Sequence, residues 1–319
     1  MNLYPLKFKP LRREKIWGSE SWELSGLTDF VSEVENGFLA GNSLDELIEV
    51  YMGELVGDGV YEMYGNYFPL LFKFIKADDK LSIQVHPDDE TAFERHRSFG
   101  KTEMWYIVDA LPDSQLIAGF SRDCNQQTFL QAVEHGNAES LLQHVNVKRG
   151  DVLLIAPGRV HSIGKGILLA EIQQASDITY RIYDYNRTDD KGNRRELHIS
   201  EALDVIDYRA FENPLTDYSI KPDSVANLAG NEYFTTNLIE FDRLIVRDYT
   251  ALDSFVVYMC VDGGLSVNTD GGECLLSKGE TVLIPASLNE VQLMPQSKSA
   301  RLLEIYIDNI DGEDKKQTE

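Results

Sequence analysis

The sequence predicts a mainly β protein of two related antiparallel units, each a sandwich or a barrel, with short helical pieces inserted and connecting them. Three observations carry that prediction. Short apolar runs bounded by Gly, Pro and Asp turns crowd residues 67–120 and 147–185, without the long helices that alternate with strands in parallel α/β folds. A second block of the same character fills about 230 to 308. Finally, VKRGDVLLIAPGRVHSIG (147–164) is echoed by LSKGETVLIPASLNEVQL (276–293), in the shared order basic residue, glycine, acid, apolar strand, proline, turn. Aligning Pro157 with Pro285 sets Asn289 against His161, so the first unit keeps a histidine that the second has lost.

The elements follow in order. Residues 1–30 are polar and aromatic around Trp17 and Trp22. In SLDELIEVYMGELVG (43–57), Leu44, Leu47, Ile48 and Tyr51 recur at helical spacing behind Ser43, a good N-cap. The period then changes: FPLLFKFIKA and KLSIQVH read as strands joined by the Asp78-Asp79 turn, followed by KTEMWYIVDA (101–110) and QLIAGF (115–120). CNQQTFLQAVEHGNAESLLQHV (124–145) reads as a helical insertion of two short helices broken at Gly136, and ELHISEALDVIDYRAF (196–211) as a helical connector. The tail 311–319 is polar and expected to fray. The expected division is 1–215, carrying the candidate site, and 216–319, a barrel-like unit with a degenerate one.

Composition narrows the function. The chain has 319 residues, 43% hydrophobic and 26% charged, enough to bury a core. A formal net charge of −23 repels nucleic acid and anionic membranes, and an anionic substrate would need a locally positive pocket. No stretch reaches the ~20 apolar residues of a membrane span, and the N-terminus lacks a secretory h-region. Cys124, Cys260 and Cys274 are odd in number and at no metal-like spacing, which fits free thiols in a reducing cytoplasm.

The candidate chemistry starts on one strand. Alternation puts Ser82, Gln84 and His86 on one face and Ile83 and Val85 on the other. Glu103 opens the next strand and His161 follows a Gly-Arg-Val turn. Two imidazoles and a carboxylate suit an open zinc site, with Gln84 as a neutral oxygen donor, and they suit Fe(II) oxygenases too. His96, His135, His144 and His198 read as surface or satisfied histidines, and Lys73 as a solvated charge.

Four ordered segments, FPLLFKFIKADDKLSIQVHPDDE (68–90), GKTEMWYIVD (100–109), VKRGDVLLIAPGRVHSIGKG (147–166) and EIQQASDITYRIYDYNR (171–187), resemble type I phosphomannose isomerase in its short bacterial form. The similarity runs colinearly from about residue 12 to 210 and fades to barrel pattern beyond. The resemblance implies tandem cupin-type (jelly-roll) barrels and one Zn²⁺ per chain on His86, Glu103, His161 and Gln84. It implies that mannose 6-phosphate and fructose 6-phosphate interconvert through an enediol(ate). It also implies roles for Arg181 as the essential arginine, Lys101 as the motif lysine and Glu171 as the proton-transferring base, with Gln173 a hydrogen-bond partner of Glu171. Ser82, Lys101 and Arg181 are the expected contacts to the hexose phosphate. Another cupin metalloenzyme, such as an Fe(II) oxygenase or epimerase, and a non-catalytic sugar-phosphate-binding barrel are the alternatives.

Overall fold

The computed structural model describes residues 3–189 and 191–308, and the polar tail 311–319 lies outside them. The chain divides into two compact units. One comprises 11–22 and 70–217; the other comprises the stretch up to Pro10, residues 23–69, and the chain from Tyr218 onward. The division expected at 215/216 falls beside the last crossing, but most of the N-terminal segment, expected in the first unit, clusters with the C-terminal barrel.

In chain order, β1 (Leu11–Lys15) and β2 (Gly18–Ser25) form a hairpin, and α1 (Leu44–Tyr51), α2 (Gly53–Val56) and α3 (Asp58–Tyr64) follow. Ser43 does precede α1, where its backbone N–H donates to the Glu46 carboxylate at 2.9 Å. Leu44, Leu47 and Ile48 form the buried stripe that the spacing predicted.

The first barrel is built from β3 (Leu70–Ala77), β4 (Ile83–Val85), α4 (Asp89–His96), β5 (Glu103–Ala110), β6 (Gln115–Phe120), α5 (Gln126–Glu134), β7 (Leu142–Asn146), β8 (Val152–Ile155), β9 (His161–Ile163), β10 (Ile167–Gln174), β11 (Tyr180–Tyr183) and α6 (Ile199–Val205). One sheet runs β1-β2-β3-β10-β5-β8 and the other β11-β4-β9-β6-β7. Their facing residues make one core: Ile75, Trp105, Ile107, Leu153 and Leu169 from the first sheet meet Leu116, Ala118 and Ile163 from the second. Ile83 and Val85 point away from it, into an outer layer with Phe129 of α5 and Ala202 of α6. Each such burial is worth roughly 1.5–3 kcal/mol, so β4 is pinned with its apolar face outward and its polar face toward the barrel.

Two local readings change. Residues 142–145, expected as the end of a helical stretch, lie in β7 (142–146), antiparallel to β6, where Leu142 is buried opposite Phe120 and Val145 opposite Leu116, with the register shifting between the two pairs. Helix α4 was not anticipated. Its Asp88 cap accepts the Thr91 N–H at 2.9 Å, a start signal hidden in the short polar run after Pro87.

The second barrel repeats the plan with β12 (Ser224–Gly230), β13 (Thr235–Phe241), β14 (Ile245–Asp248), β15 (Val256–Asp262), β16 (Gly264–Thr269), β17 (Gly272–Ser277), β18 (Thr281–Ile284), β19 (Glu290–Pro295) and β20 (Ala300–Tyr306). Its sheets run β12-β13-β20-β15-β18 and β14-β19-β16-β17, so β13-β20-β15-β18 matches β3-β10-β5-β8, and β14-β19-β16-β17 matches β4-β9-β6-β7. The repeat is therefore structural, although the alignment of Asn289 with His161 does not hold. The turns after β8 and β18 both have five residues, but Pro157 is second in its turn and Pro285 first, so Asn289 falls in the turn, where it is exposed, and the buried residue opposite Arg247 on β19 is Val291.

Candidate metal centre

Three strands bring three side chains with metal-ligand chemistry, two imidazoles and a carboxylate, to one point inside the first barrel. His86, just past β4, is 1% exposed, and Glu103 and His161 are wholly buried. The Nε2 atoms of His86 and His161 each lie 3.2 Å from Glu103 Oε1. Donors bound to a tetrahedral cation at 2.0–2.1 Å are about 3.3 Å apart, so the spacing is that of a ligand set drawn slightly together. Each imidazole is oriented from behind: Nδ1 of His86 lies 2.8 Å from the Ile178 carbonyl, and Nδ1 of His161 lies 2.8 Å from that of Arg159. A proton on each Nδ1 satisfies those carbonyls and leaves Nε2 as a lone-pair donor facing inward.

The electrostatics agree. Burial, assisted by Lys101, pushes His86 down to about 3, so it is neutral at pH 7. Glu103 is raised by burial but more than compensated by Lys101 and His86, and it stays ionised. Both of its oxygens are buried without a hydrogen-bond partner. Lys101 meets one oxygen of this buried, ionised carboxylate, while the other faces the Nε2 atoms of both histidines, an arrangement completed by a cation at their common point. The donor set therefore fits a divalent metal.

The other expected residues surround this point. Gln84 pairs with His161 across β4 and β9, and its Nε2 lies 3.3 Å from the His161 Nε2; the Ser82 hydroxyl donates to the Gln84 Oε1 at 3.3 Å. Amide oxygen and nitrogen exchange by a half-turn of the side chain, so Gln84 is placed to offer either. Lys101 is buried, with Nζ 3.1 Å from Glu103 Oε2 and 3.2 Å from His86 Nε2.

Glu171 lies on β10, in register with Lys73 of β3 and Trp105 of β5, so all three share one face. Its Oε1 meets Lys73 Nζ at 3.0 Å and its Oε2 accepts the Trp105 indole N–H at 2.9 Å. Burial raises its pKa, and Lys73 only partly offsets that. Gln173 does not bond Glu171: its Oε1 accepts from Lys73 at 2.6 Å and its Nε2 donates to the Ser176 carbonyl. The two are linked only through the lysine.

Arg181 of β11 is the register partner of Gln84, on the same face of the sheet. Its Nη1 donates to the Glu196 carbonyl at 2.8 Å, while its Nε is buried without a partner. Burial, then the neighbouring Arg195, lowers its pKa. Arg195 and Arg187 both bind Asp184, giving three guanidinium groups and one buried carboxylate in a chain that is acidic overall.

Sequence reasoning named the three residues that converge here but missed Lys73 and Trp105. Lys73 is 4% exposed, where a solvated charge was expected. The available signal was a single lysine within seven apolar residues, FPLLFKFI, where only an internal acid makes burial tolerable.

Comparison with known proteins agrees with this geometry. Residues 8–112 match the family description "Phosphomannose isomerase type I, catalytic domain", and residues 225–303 match "Mannose-6-phosphate isomerase, cupin domain". The chain is 33% identical to a mannose-6-phosphate isomerase of Bacillus subtilis, covering 92% of this chain and 96% of that one. It is 31% identical to the mannose-6-phosphate isomerase of Streptococcus mutans over 90% and 94% of the two chains. A crystal structure of the Bacillus subtilis mannose 6-phosphate isomerase superposes with a TM-score of 0.85 at 28% identity, covering 95% of this chain and 99% of the other.

Proposed function

Because the chain belongs to the type I mannose-6-phosphate isomerase family, we propose that it is the working enzyme, an aldose–ketose isomerase interconverting mannose 6-phosphate and fructose 6-phosphate in the cytoplasm. The first barrel carries the chemistry and the barrel from about 216 onward none. The observation that carries the reading is the convergence of two imidazole Nε2 atoms, each 3.2 Å away, on one oxygen of a buried carboxylate.

The reaction moves a proton between C1 and C2 through an enediol(ate). It needs a base over that edge, positive charge at the oxygens and an anchor for the phosphate. Glu171 is the base: its burial-raised pKa makes it a stronger proton acceptor than a surface carboxylate. Lys73 and Trp105 hold its two oxygens, fixing the carboxylate plane while it gains and loses the proton. Lys101, whose ammonium lies within 3.2 Å of two of the converging groups, supplies positive charge to the oxyanion that develops on the sugar. Arg181 and the Ser82 hydroxyl, at the rim of the same face, bind the phosphate.

His86, Glu103 and His161, with Gln84 as an added donor, would hold one Zn²⁺; when bound, such an ion polarises the sugar oxygens and stabilises negative charge, worth several kcal/mol. Zinc suits two imidazole nitrogens and one carboxylate with an open position. The test is a coupled assay on mannose 6-phosphate with metal-quantified protein. Chelation is expected to abolish turnover and zinc to restore it. Turnover indifferent to chelation removes the metal, and turnover absent on mannose 6-phosphate but present on another hexose phosphate removes the substrate.

A further inference from the structure

The turn between β8 and β9 touches both histidines of the metal centre and supplies only one of them. The Gly158 N–H donates to the His86 carbonyl at 2.9 Å, and the Arg159 carbonyl meets His161 Nδ1 at 2.8 Å. The Arg159 peptide unit thus decides where His161 points, and its neighbour ties down the backbone of His86. The turn is itself gripped from outside. The Asp207 N–H donates to the Gly158 carbonyl at 2.8 Å, and a Cβ on Gly158 (φ +80°) would come 2.8 Å from the Val205 carbonyl oxygen, so only glycine fits. Gly119 has φ +77°, and a Cβ there would lie 2.9 Å from Phe211 Cβ, so a glycine at that point gives the ring its place.

The Arg159 side chain completes the grip. Its guanidinium carbon lies 3.3 Å from the centre of the Phe211 ring and its Nη1 donates to the Leu154 carbonyl on β8 at 3.1 Å. Phe211 is anchored in turn by its N–H donating to the Phe120 carbonyl at 3.1 Å. Among the described residues Arg159 makes no ion pair, although the chain carries a net charge of −23, and Asp207 nearby is taken by Arg209. Charge neutralisation therefore does not account for an arginine here. A flat, donor-bearing group lying on a ring and reaching back to β8 does. A cavity of about 210 Å³, lined also by Gly119, Asp207, Arg209 and Ala210, opens beside the pair, so no further packing holds the guanidinium from that side.

We infer that Arg159 and Phe211 are positioning residues for the metal centre: their stacked contact fixes the turn that orients His161 and, through Gly158, His86. This rests on the metal reading above. Outer supports of this kind typically set metal affinity by 10–100-fold.

The test uses the full chain, stripped of metal and titrated with Co²⁺, whose visible absorption reports ligand geometry, and then with Zn²⁺ in competition. Wild type is expected to take up one Co²⁺ with a visible band. Arg159→Met and Phe211→Leu are expected to weaken metal binding by about 10–100-fold and to shift the band. Phe211→Tyr, which keeps the ring, and Arg209→Ala, which lines the same cavity but touches neither histidine, are expected to match wild type. Should Phe211→Leu fail to fold, Arg159→Lys keeps the charge, loses the flat stack, and is expected to show the same weakening and shift. Folded Arg159 variants with wild-type affinity and spectrum overturn the inference, as does an Arg209→Ala that loses metal equally. A wild type that binds no cobalt overturns the metal reading itself.

Discussion

In the first barrel Glu171 on β10 faces Lys73 across one strand pair and Trp105 across the other; in the second, Glu304 on β20 faces Asn237 and Tyr258 in the same way. Both carboxylates are buried, and both sit in the second strand of a matching four-strand order. Around them the two barrels diverge. Glu304 is saturated: Arg247 bonds it through Nε at 2.8 Å and Nη2 at 3.1 Å, Asn237 donates at 2.9 Å, and the Tyr249 hydroxyl, itself paired with Tyr258, donates as well. Two residues along β5 from Trp105 stands Glu103; two residues along β15 from Tyr258 stands Val256. In the second barrel the buried glutamate is met entirely by other side chains. In the first, Lys101 meets one oxygen of Glu103, while the other faces the Nε2 atoms of two imidazoles. Catalytic capacity in this architecture tracks unmet bonding demand, and the shared glutamate alone does not confer it.

Substitution at the two carboxylates sharpens that contrast most. Glu103→Gln should lower turnover by at least about 10³-fold, since it removes the charged ligand of an ion worth several kcal/mol. Urea unfolding of the metal-free protein should meanwhile show a smaller loss than at Glu304, because the amide keeps the side chain's volume and only the ion pair with Lys101 is lost. Glu304→Ala should do the reverse, costing roughly 3–5 kcal/mol by stranding the buried end of Arg247, with metal content and turnover per folded molecule unchanged. If Glu304→Ala lost turnover in a folded, metal-loaded protein, the second barrel would not be inert and the comparison would break.

Arg181→Ala should cost about 10²-fold in turnover by removing one preorganised charge, with metal content intact. Survival of activity within a few-fold would remove Arg181 from the site. The smallest effect is a shift in pH dependence. Lys73 pulls the Glu171 pKa down against burial, so Lys73→Met should raise it further and move the acid limb of the kcat/KM profile to higher pH. An unmoved limb would mean that Glu171 is not the group titrating there.

How much of this was legible in the sequence depended on whether each strand had one polar face or none. On β4 the alternation Ser82, Gln84, His86 against Ile83 and Val85 was plain, and the strand's inward polar face followed from it. Strand β3 is buried on both faces, with Leu71, Phe72, Phe74 and Ile75 flanking Lys73, so no period-two signal marked the lysine as inward. Asn289 went astray because the proline that anchored the alignment sits at different positions in two turns of equal length. Residues 142–145 were drawn into a helix by the amphipathic run before them, since strand pairing with β6 is a tertiary fact.

The chain path has a consequence for biosynthesis. Every strand of the first barrel has been synthesised by residue 217, whereas β13 waits for β20, the last described strand, and Leu6 waits for Leu283. During translation residues 23–69 are thus made early and seated late, tethered to a barrel that is already closing. A nascent chain halted after 217 would be cut by protease within 23–69 and spared within 70–217.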